Sequence, residues 1–175
     1  MDINSEISYL AMSLGLQSFG TAPVSAYDGA PQGHQPRDIL PGAKSIITFT
    51  YRLNNGALDN LPATRNQYML EFTAVNHILA QAAHKIARLL EGKGFVSIGV
   101  GPEADIGDYS RLKADFSHKH SAVACGLGSF GVNNLLLANR VGARVRLASV
   151  ITSAELKYSN AGPPADNCTS CGECV

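Results

Sequence analysis

The residues best suited to chemistry are three cysteines near the end of the chain, Cys168, Cys171 and Cys174. Each follows the one before at an offset of three, so the run C-T-S-C-G-E-C wraps a tight loop around one point. It matches the first three ligands of the ferredoxin pattern C-x2-C-x2-C-x3-C-P. Thiolates suit the soft iron of a cluster, and small residues leave backbone N–H groups near the sulfurs. The run therefore predicts ligands of a [4Fe-4S] cluster.

Two other uses of this cysteine run stay open, a zinc site and a tail of free thiols. Zinc sites usually combine one C-x2-C pair with a distant second pair, so the third cysteine is surplus to that pattern. The fourth cluster ligand is not in the sequence, which ends at Val175. Cys125 lies among apolar residues of a predicted helix, where a buried free thiol is expected. We expect the chain to be a fragment of a longer protein.

A glycine-rich segment is the second feature with chemical potential. Gly126, Gly128 and Gly131 form G-x-G-x-x-G, but a dinucleotide-binding fingerprint follows a strand and opens a helix. Here a helical stretch precedes the glycines and a strand-like stretch follows. What the segment does predict is a backbone that can closely approach a flat or phosphate-bearing cofactor.

Several titratable side chains surround this segment. His118 and His120 flank Lys119, and a histidine can donate a proton near neutral pH. The alternative is a polar helix start with solvated side chains, which we favour for His120. Tyr109 and Arg111 lie in the preceding loop, where a tyrosine beside a cation can act as an acid or simply be exposed.

The remaining histidines carry less information. His77 and His84 belong to the polar stripe of a long predicted helix, so we interpret them as surface residues. His34 lies in a loop rich in proline and glycine, and the sequence offers it no partner.

Composition limits the functions available to the protein. The 175 residues carry 14 basic and 14 acidic side chains, and the formal net charge of zero argues against a basic DNA-binding surface. No apolar run approaches the length of a membrane span, and the N-terminus resembles no targeting peptide. A cysteine-rich tail without a signal peptide indicates the cytoplasm.

The elements that would position these residues follow from the apolar periodicity. Helices are predicted over 3–14, 64–91 and 117–125, and strands over 19–25, 45–51, 95–100, 135–138 and 144–152. The spacing at 139–142 suits an antiparallel hairpin between the last two strands. The fold class is α/β or α+β, with a mixed sheet flanked by helices.

Several segments together resemble a known family. Residues 115–137, residues 142–152 and the cysteine run look like the core of epoxyqueuosine reductase-like iron–sulfur proteins, relatives of the corrinoid-dependent reductive dehalogenases. Residues 37–47 are similar to the stretch before the first core strand of that family. The resemblance covers most of the chain, and residues 115–174 carry its most specific motifs.

The resemblance implies a nitroreductase-like domain over residues 1–158 that binds cobalamin, and over residues 159–175 a linker and an incomplete [4Fe-4S] ferredoxin-type motif. Clusters would feed electrons to the cobalt, and a ferredoxin or flavodoxin-like donor would supply them. The full-length protein would then be an oxidoreductase. The residues implied to lie against the corrinoid are Gly126, Gly128, Gly131, Asn133 and Asn134.

The chain departs from this family at named positions. Leu112 stands where the family has an acidic proton donor, and Val132 where it usually has a lysine, whereas the basic residue of the family matches Lys119. The second cysteine run and the helical-repeat tail of those enzymes are absent from this sequence. The broader iron–sulfur and corrinoid prediction is therefore kept without queuosine chemistry. An electron-transfer accessory protein and a zinc-tail structural protein are the alternatives.

Overall fold

A computed structural model describes residues 2–103, 114–159 and 166–174. The helices in these ranges are α1 (Ile3–Ser13), α2 (Pro36–Ile39), α3 (Asn55–Leu58), α4 (Arg65–Glu91) and α5 (His118–Ala124). The strands are β1 (Ser18–Pro23), β2 (Ser45–Arg52), β3 (Ser97–Val100), β4 (Gly128–Phe130), β5 (Leu136–Ala138) and β6 (Val145–Thr152). A 3-10 turn covers Val24–Tyr27.

The main sheet has four strands in the order β1-β2-β6-β3. All three pairings are antiparallel, so the sheet is not the mixed one that we expected, although the α/β class with flanking helices is confirmed. The β-branched and aromatic run of β2 is buried from Ser45 to Thr50, as a central strand requires. Alternation along β2 sends Ile47 and Phe49 to one face and Thr48 to the other.

The first face of the sheet is covered by the long helix α4. Its 27 residues bury Val75, Leu79, Ile86 and Leu90 at helical spacing against the sheet. Gly99 on β3 makes room for the helix, because a Cβ there would lie 3.1 Å from the backbone of Ala83. In the described ranges, no helix has the length and apolar composition needed to cross a bilayer.

The second face carries α5 and a separate two-stranded sheet. β4 pairs with β5, and Leu136 and Ala138 of β5 join Ala22 and Cys125 in a small core. The predicted hairpin between β5 and β6 is therefore wrong. β5 pairs with β4 instead, while β6 pairs with β2 along its whole length and with β3 over Ser149–Thr152.

Candidate functional site

A cavity of about 530 Å³ opens where the start of α5 meets the start of β6. This volume is in the range of ordinary small-molecule sites. The wall combines apolar surface from Phe116, Val145 and Leu147 with the basic side chains of Lys119 and Arg146. The remaining lining residues are His34, Pro102, Ala114, Ser117 and His118. The cavity wall is therefore mainly apolar and carries two cationic side chains, a combination that suits an anionic organic ligand.

His118 is fixed at both nitrogens of its ring. Nδ1 lies 2.9 Å from the hydroxyl oxygen of Ser149, and Nε2 lies 2.7 Å from the carbonyl oxygen of Gly101. A carbonyl only accepts, so Nε2 carries the hydrogen and Nδ1 accepts from the Ser149 hydroxyl. The pKa of His118 is lowered to about 4, chiefly by burial; the hydrogen bond to the Gly101 carbonyl opposes this shift, and the positive charge of Arg146 adds to it. This geometry holds the Gly101 backbone in place, while proton donation by His118 stays a prediction.

A buried chain of hydroxyl groups continues from His118 into the core. Ser149 Oγ lies 2.9 Å from Thr48 Oγ1, and Thr48 makes a further short contact with the hydroxyl of Ser121. Thr48, Ser121 and Ser149 are all fully buried. Because buried hydroxyls must be paired, this chain fixes α5 on the sheet and with it the orientation of the His118 ring.

Lys119 joins the cavity to the β4–β5 hairpin. Its Nζ donates to the carbonyl oxygen of Asn134 at 2.8 Å and lies 5.9 Å from the centre of the Phe130 ring. The neighbouring His120 is exposed, and its Nδ1 contacts Ser117 Oγ at 2.7 Å. The structure thus brings Lys119 into the cavity and leaves His120 at the polar helix start, as expected for it.

Arg146 belongs to the cavity although no sequence motif marks it. Its guanidinium carbon lies 3.9 Å from the centre of the Phe72 ring, Nε donates to the side-chain oxygen of Asn76, and Nη2 lies 3.2 Å from a carboxylate oxygen of Glu103. The signal available in the sequence was an arginine within the predicted strand over 144–152. Its partners on α4 are distant in sequence, so the local sequence pattern did not show that Arg146 lines the cavity.

His34 has a partner, contrary to the expectation that nothing nearby would pair with it. Its Nδ1 lies 3.0 Å from the carbonyl oxygen of Ala114, and the ring lines the cavity. His77 and His84 are exposed on α4, as predicted. Tyr109, together with Arg111, lies outside the described residues.

The glycine segment forms the first strand and the turn of the hairpin. Gly128 packs so closely on β5 that a Cβ there would lie 2.2 Å from the Leu137 carbonyl oxygen, and a Cβ at Gly131 would lie 2.8 Å from the side-chain oxygen of Asn133. That oxygen accepts from the N–H of Leu135 at 3.1 Å, and Asn134 adopts a φ of 61°. Hairpin packing thus accounts for Gly128 and Gly131, and a corrinoid contact stays a prediction.

The cysteine run lies against the turn of this hairpin. The nearby backbone N–H of Val132 lowers the pKa of the Cys168 thiol, and the Ser170 backbone adds to the effect. The backbone N–H of Glu173 lowers the pKa of the Cys171 thiol in the same way. A lowered pKa favours the thiolate, which is the form that ligates iron or zinc.

The donor chemistry of the run thus fits a cluster or a zinc ion, although its side chains do not converge here. In the described ranges, no three His, Cys, Asp or Glu side chains are close enough to hold a metal ion. Cys125 is only 1% exposed, and burial raises the pKa of its thiol to about 11. The prediction that Cys125 is a core residue is confirmed.

Solved structures with the same architecture come from two groups of enzymes. An epoxyqueuosine reductase crystallised with a tRNA stem loop matches 98% of this chain and 50% of its own, with a TM-score of 0.72 and 18% identity. An epoxyqueuosine reductase from Bacillus subtilis matches 97% of this chain and 50% of its own, with a TM-score of 0.64 and 17% identity. A reductive dehalogenase, whose structure suggests a mechanism for B12-dependent dehalogenation, matches 91% of this chain and 21% of its own. Its TM-score is 0.56 and its sequence identity is 19%.

The chain has the fold of these enzymes. The structural resemblance predicted from the sequence is therefore confirmed, and the chain spans about half the length of the epoxyqueuosine reductases that it matches. No protein-family model matches the sequence, and no curated protein matches it either. In this chain, the β4–β5 hairpin is bonded to the cavity residue Lys119 and to Asn167, the residue before the cysteine run.

Proposed function

We propose that this chain is the cofactor-binding part of an iron–sulfur reductase that uses cobalamin. One observation carries the proposal: a single hairpin is bonded to a cavity residue and to the residue before the cysteine run. Lys119 Nζ donates to the carbonyl of Asn134, and the backbone N–H of Asn167 donates to Ser129 Oγ. The ligand run and the substrate cavity therefore share one short element, as electron delivery to the cavity requires.

The cysteine run would hold the cluster. Cys168, Cys171 and Cys174 would supply three thiolates, and nearby backbone N–H groups lower the pKa of the Cys168 and Cys171 thiols. A [4Fe-4S] cluster supplies one-electron transfer when bound, and a fourth ligand would come from outside these three cysteines. The reductase would work in the cytoplasm and take electrons from a ferredoxin or flavodoxin-like donor.

The hairpin turn would hold the corrinoid. Val132 and Leu135 are 64% and 48% exposed, so the turn offers apolar surface to a macrocycle. Asn133 and Asn134 are also exposed there and can bond the amide groups at the rim of a corrin. Gly126, Gly128 and Gly131 keep this backbone free of side chains. Bound cobalamin supplies a low-valent cobalt that reduces the substrate.

The cavity residues have separate roles in this proposal. Lys119 and Arg146 orient an anionic substrate by charge, and Phe116 packs against its apolar part. Lys119 would donate a proton from Nζ, and His118 stays a second candidate donor from the sequence. His118 fixes the cavity wall through Gly101. Tyr109 stays a further candidate acid from the sequence.

The test begins with anaerobic reconstitution of the chain with iron and sulfide. We expect visible charge-transfer absorbance and bound iron in the wild type, and loss of most of that iron in Cys171→Ala. Cys125→Ala is the matched control and should keep the iron, because Cys125 is buried in the core. Zinc binding without iron, or full iron content in Cys171→Ala, would contradict the cluster.

The corrinoid is tested separately by adding cobalamin to the same anaerobic sample. We expect a change in the cobalamin spectrum and a higher melting temperature, since a ligand that binds only the folded state stabilises it. Iron binding without any response to cobalamin would contradict the corrinoid and favour an electron-transfer accessory protein.

A further inference from the structure

Asn167, the residue before the first cysteine of the run, is bonded to both strands of the hairpin. Its backbone N–H donates to Ser129 Oγ on β4 at 2.9 Å. Its side-chain Nδ2 donates at 2.9 Å to the carbonyl oxygen of Leu137 on β5, and at 2.9 Å to Oδ1 of Asn139. Both hydrogens of the amide therefore have an acceptor.

The acceptors of Asn167 are themselves held in place. Ser129 is buried in β4. Asn139 donates its backbone N–H to the Leu127 carbonyl at 2.9 Å and its Nδ2 to the Gly126 carbonyl at 3.0 Å. Asn167 is thus bonded to a frame that includes the start of the glycine segment and the end of β5, and not to an isolated loop.

The chemistry of these contacts requires an amide at position 167. Leu137 O and Asn139 Oδ1 are both acceptors, so the side chain between them must supply two donors. A carboxylate of the same shape has no donor and would face two oxygens. Alanine would leave both acceptors without this partner.

We propose that Asn167 is a positioning residue that docks the cysteine run on the β4–β5 hairpin. It fixes the backbone immediately before Cys168 against β4 and β5. The same hairpin is held from α5 by Lys119, so Asn167 sets the position of the run relative to the cavity. The link to a cluster rests on the proposed function, whereas the docking itself does not.

Hydrogen exchange of the metal-free chain tests the docking directly. We expect Asn167→Ala to raise amide exchange in residues 166–174 and 127–139 about tenfold, because two hydrogen bonds are lost. In Asn167→Asp the same amides should exchange at least as fast as they do in Asn167→Ala. Asn60→Ala is the matched control, since Asn60 is exposed and makes one long contact of 3.4 Å to the Gly56 carbonyl. Unchanged exchange in Asn167→Ala, or wild-type exchange in Asn167→Asp, would overturn the proposal.

The effect on a cluster is measured after reconstitution with iron and sulfide. We expect Asn167→Ala to retain iron but to shift the reduction potential and broaden the electron paramagnetic resonance signal, because the sulfur of Cys168 loses a fixed neighbour. Asn60→Ala should match the wild type. If iron-loaded Asn167→Ala had the reduction potential and the electron paramagnetic resonance signal of the wild type, Asn167 would have no role in positioning the cluster. A wild-type chain that binds no iron would contradict the proposed function, and the exchange result alone would then decide the docking.

Discussion

At pH 7 the His118 ring is neutral, because burial lowers its pKa to about 4 from an ordinary value of 6.5. In the unfolded chain the same ring takes up a proton as the pH falls through 6.5. Between those two values the unfolded state binds more protons than the folded state does, so acid favours unfolding. The contribution of His118 to stability is complete above pH 6.5 and is lost as the pH falls toward 4.

This linkage predicts the effect of His118→Gln on the pH dependence of stability. From pH 7.5 to 5.5 the wild type should lose about 1.4 kcal/mol through this histidine, since each unit of proton linkage is worth about 1.36 kcal/mol. His118→Gln cannot titrate and should lose that much less over the same range. Urea unfolding at the two pH values measures the difference, with exposed His77→Gln as the control. Equal pH dependence in His118→Gln and wild type would contradict the buried neutral ring.

At the scale of single residues, the sequence indicated which side chains to consider but not which residues they contact. Three apolar neighbours were enough to predict a buried Cys125, and the match to a family motif was enough to select Lys119. Arg146 and Asn167 escaped prediction because their contacts are 70 and 38 residues away, at Asn76 and Ser129. Side-chain contacts of this range depend on the tertiary fold, and local spacing does not encode them.

At the scale of elements, the β4–β5 hairpin is the part of the site most sensitive to side-chain volume. Gly128 lies where the two strands come closest, and any Cβ there meets backbone atoms and not a flexible side chain. Backbone atoms cannot rotate away, so the strands must separate. The glycine is required by packing between strands, whatever binds at the turn.

Gly128→Ala should therefore destabilise the protein by about 2–3 kcal/mol, the cost typical of overpacking. The added Cβ would lie 2.2 Å from the Leu137 carbonyl oxygen and 2.9 Å from the Ala138 Cα. Gly42→Ala is the control, because a Cβ at Gly42 meets nothing within 4 Å. Thermal or urea unfolding measures both variants. A Gly128→Ala protein as stable as Gly42→Ala would show that β4 and β5 are not packed this closely.

Long elements with a clear repeat of apolar residues could be predicted from the sequence, and short elements could not. α4 was predicted to begin near Thr64 and begins at Arg65, because its apolar positions repeat over 27 residues. β2 was equally clear from its β-branched run. The three residues of β4 carry no alternation that separates them from a glycine loop, so the strand was missed. The β5–β6 hairpin failed because spacing in the chain does not show which edges of β6 are already paired.

At the scale of the whole molecule, the segment after β6 returns across the sheet before the chain reaches the cysteine run. Leu156 donates its N–H to Ser45 Oγ, and Asn4 in α1 donates to the Lys157 carbonyl at 2.8 Å. Ser159 then bonds Thr21 on β1, which is an edge strand of the sheet. Covering an edge strand protects it from pairing with other chains.

Thr21 fixes this returning segment, and Thr21→Val should release it. The Thr21 hydroxyl donates to the Lys157 carbonyl at 2.8 Å and accepts from the Ser159 N–H at 3.0 Å, while Thr21 itself is only 5% exposed. Valine keeps the shape but removes both bonds, which should cost about 1–2 kcal/mol of stability. The rate of amide hydrogen exchange in residues 156–159 should also rise in Thr21→Val.

The control for this change is Thr73→Val on the exposed face of α4. The Thr73 hydroxyl bonds only the Met69 carbonyl one turn earlier, at 2.9 Å, a contact that contributes little to a helix. Both variants replace a hydroxyl by a methyl group, and only the Thr21 hydroxyl bonds the returning segment. Equal stability and equal exchange at 156–159 in the two variants would mean that the bonds of Asn4, Ser45 and the Thr21 backbone are enough to hold the segment. Faster exchange only in Thr21→Val would show that the Thr21 hydroxyl holds residues 156–159 on β1.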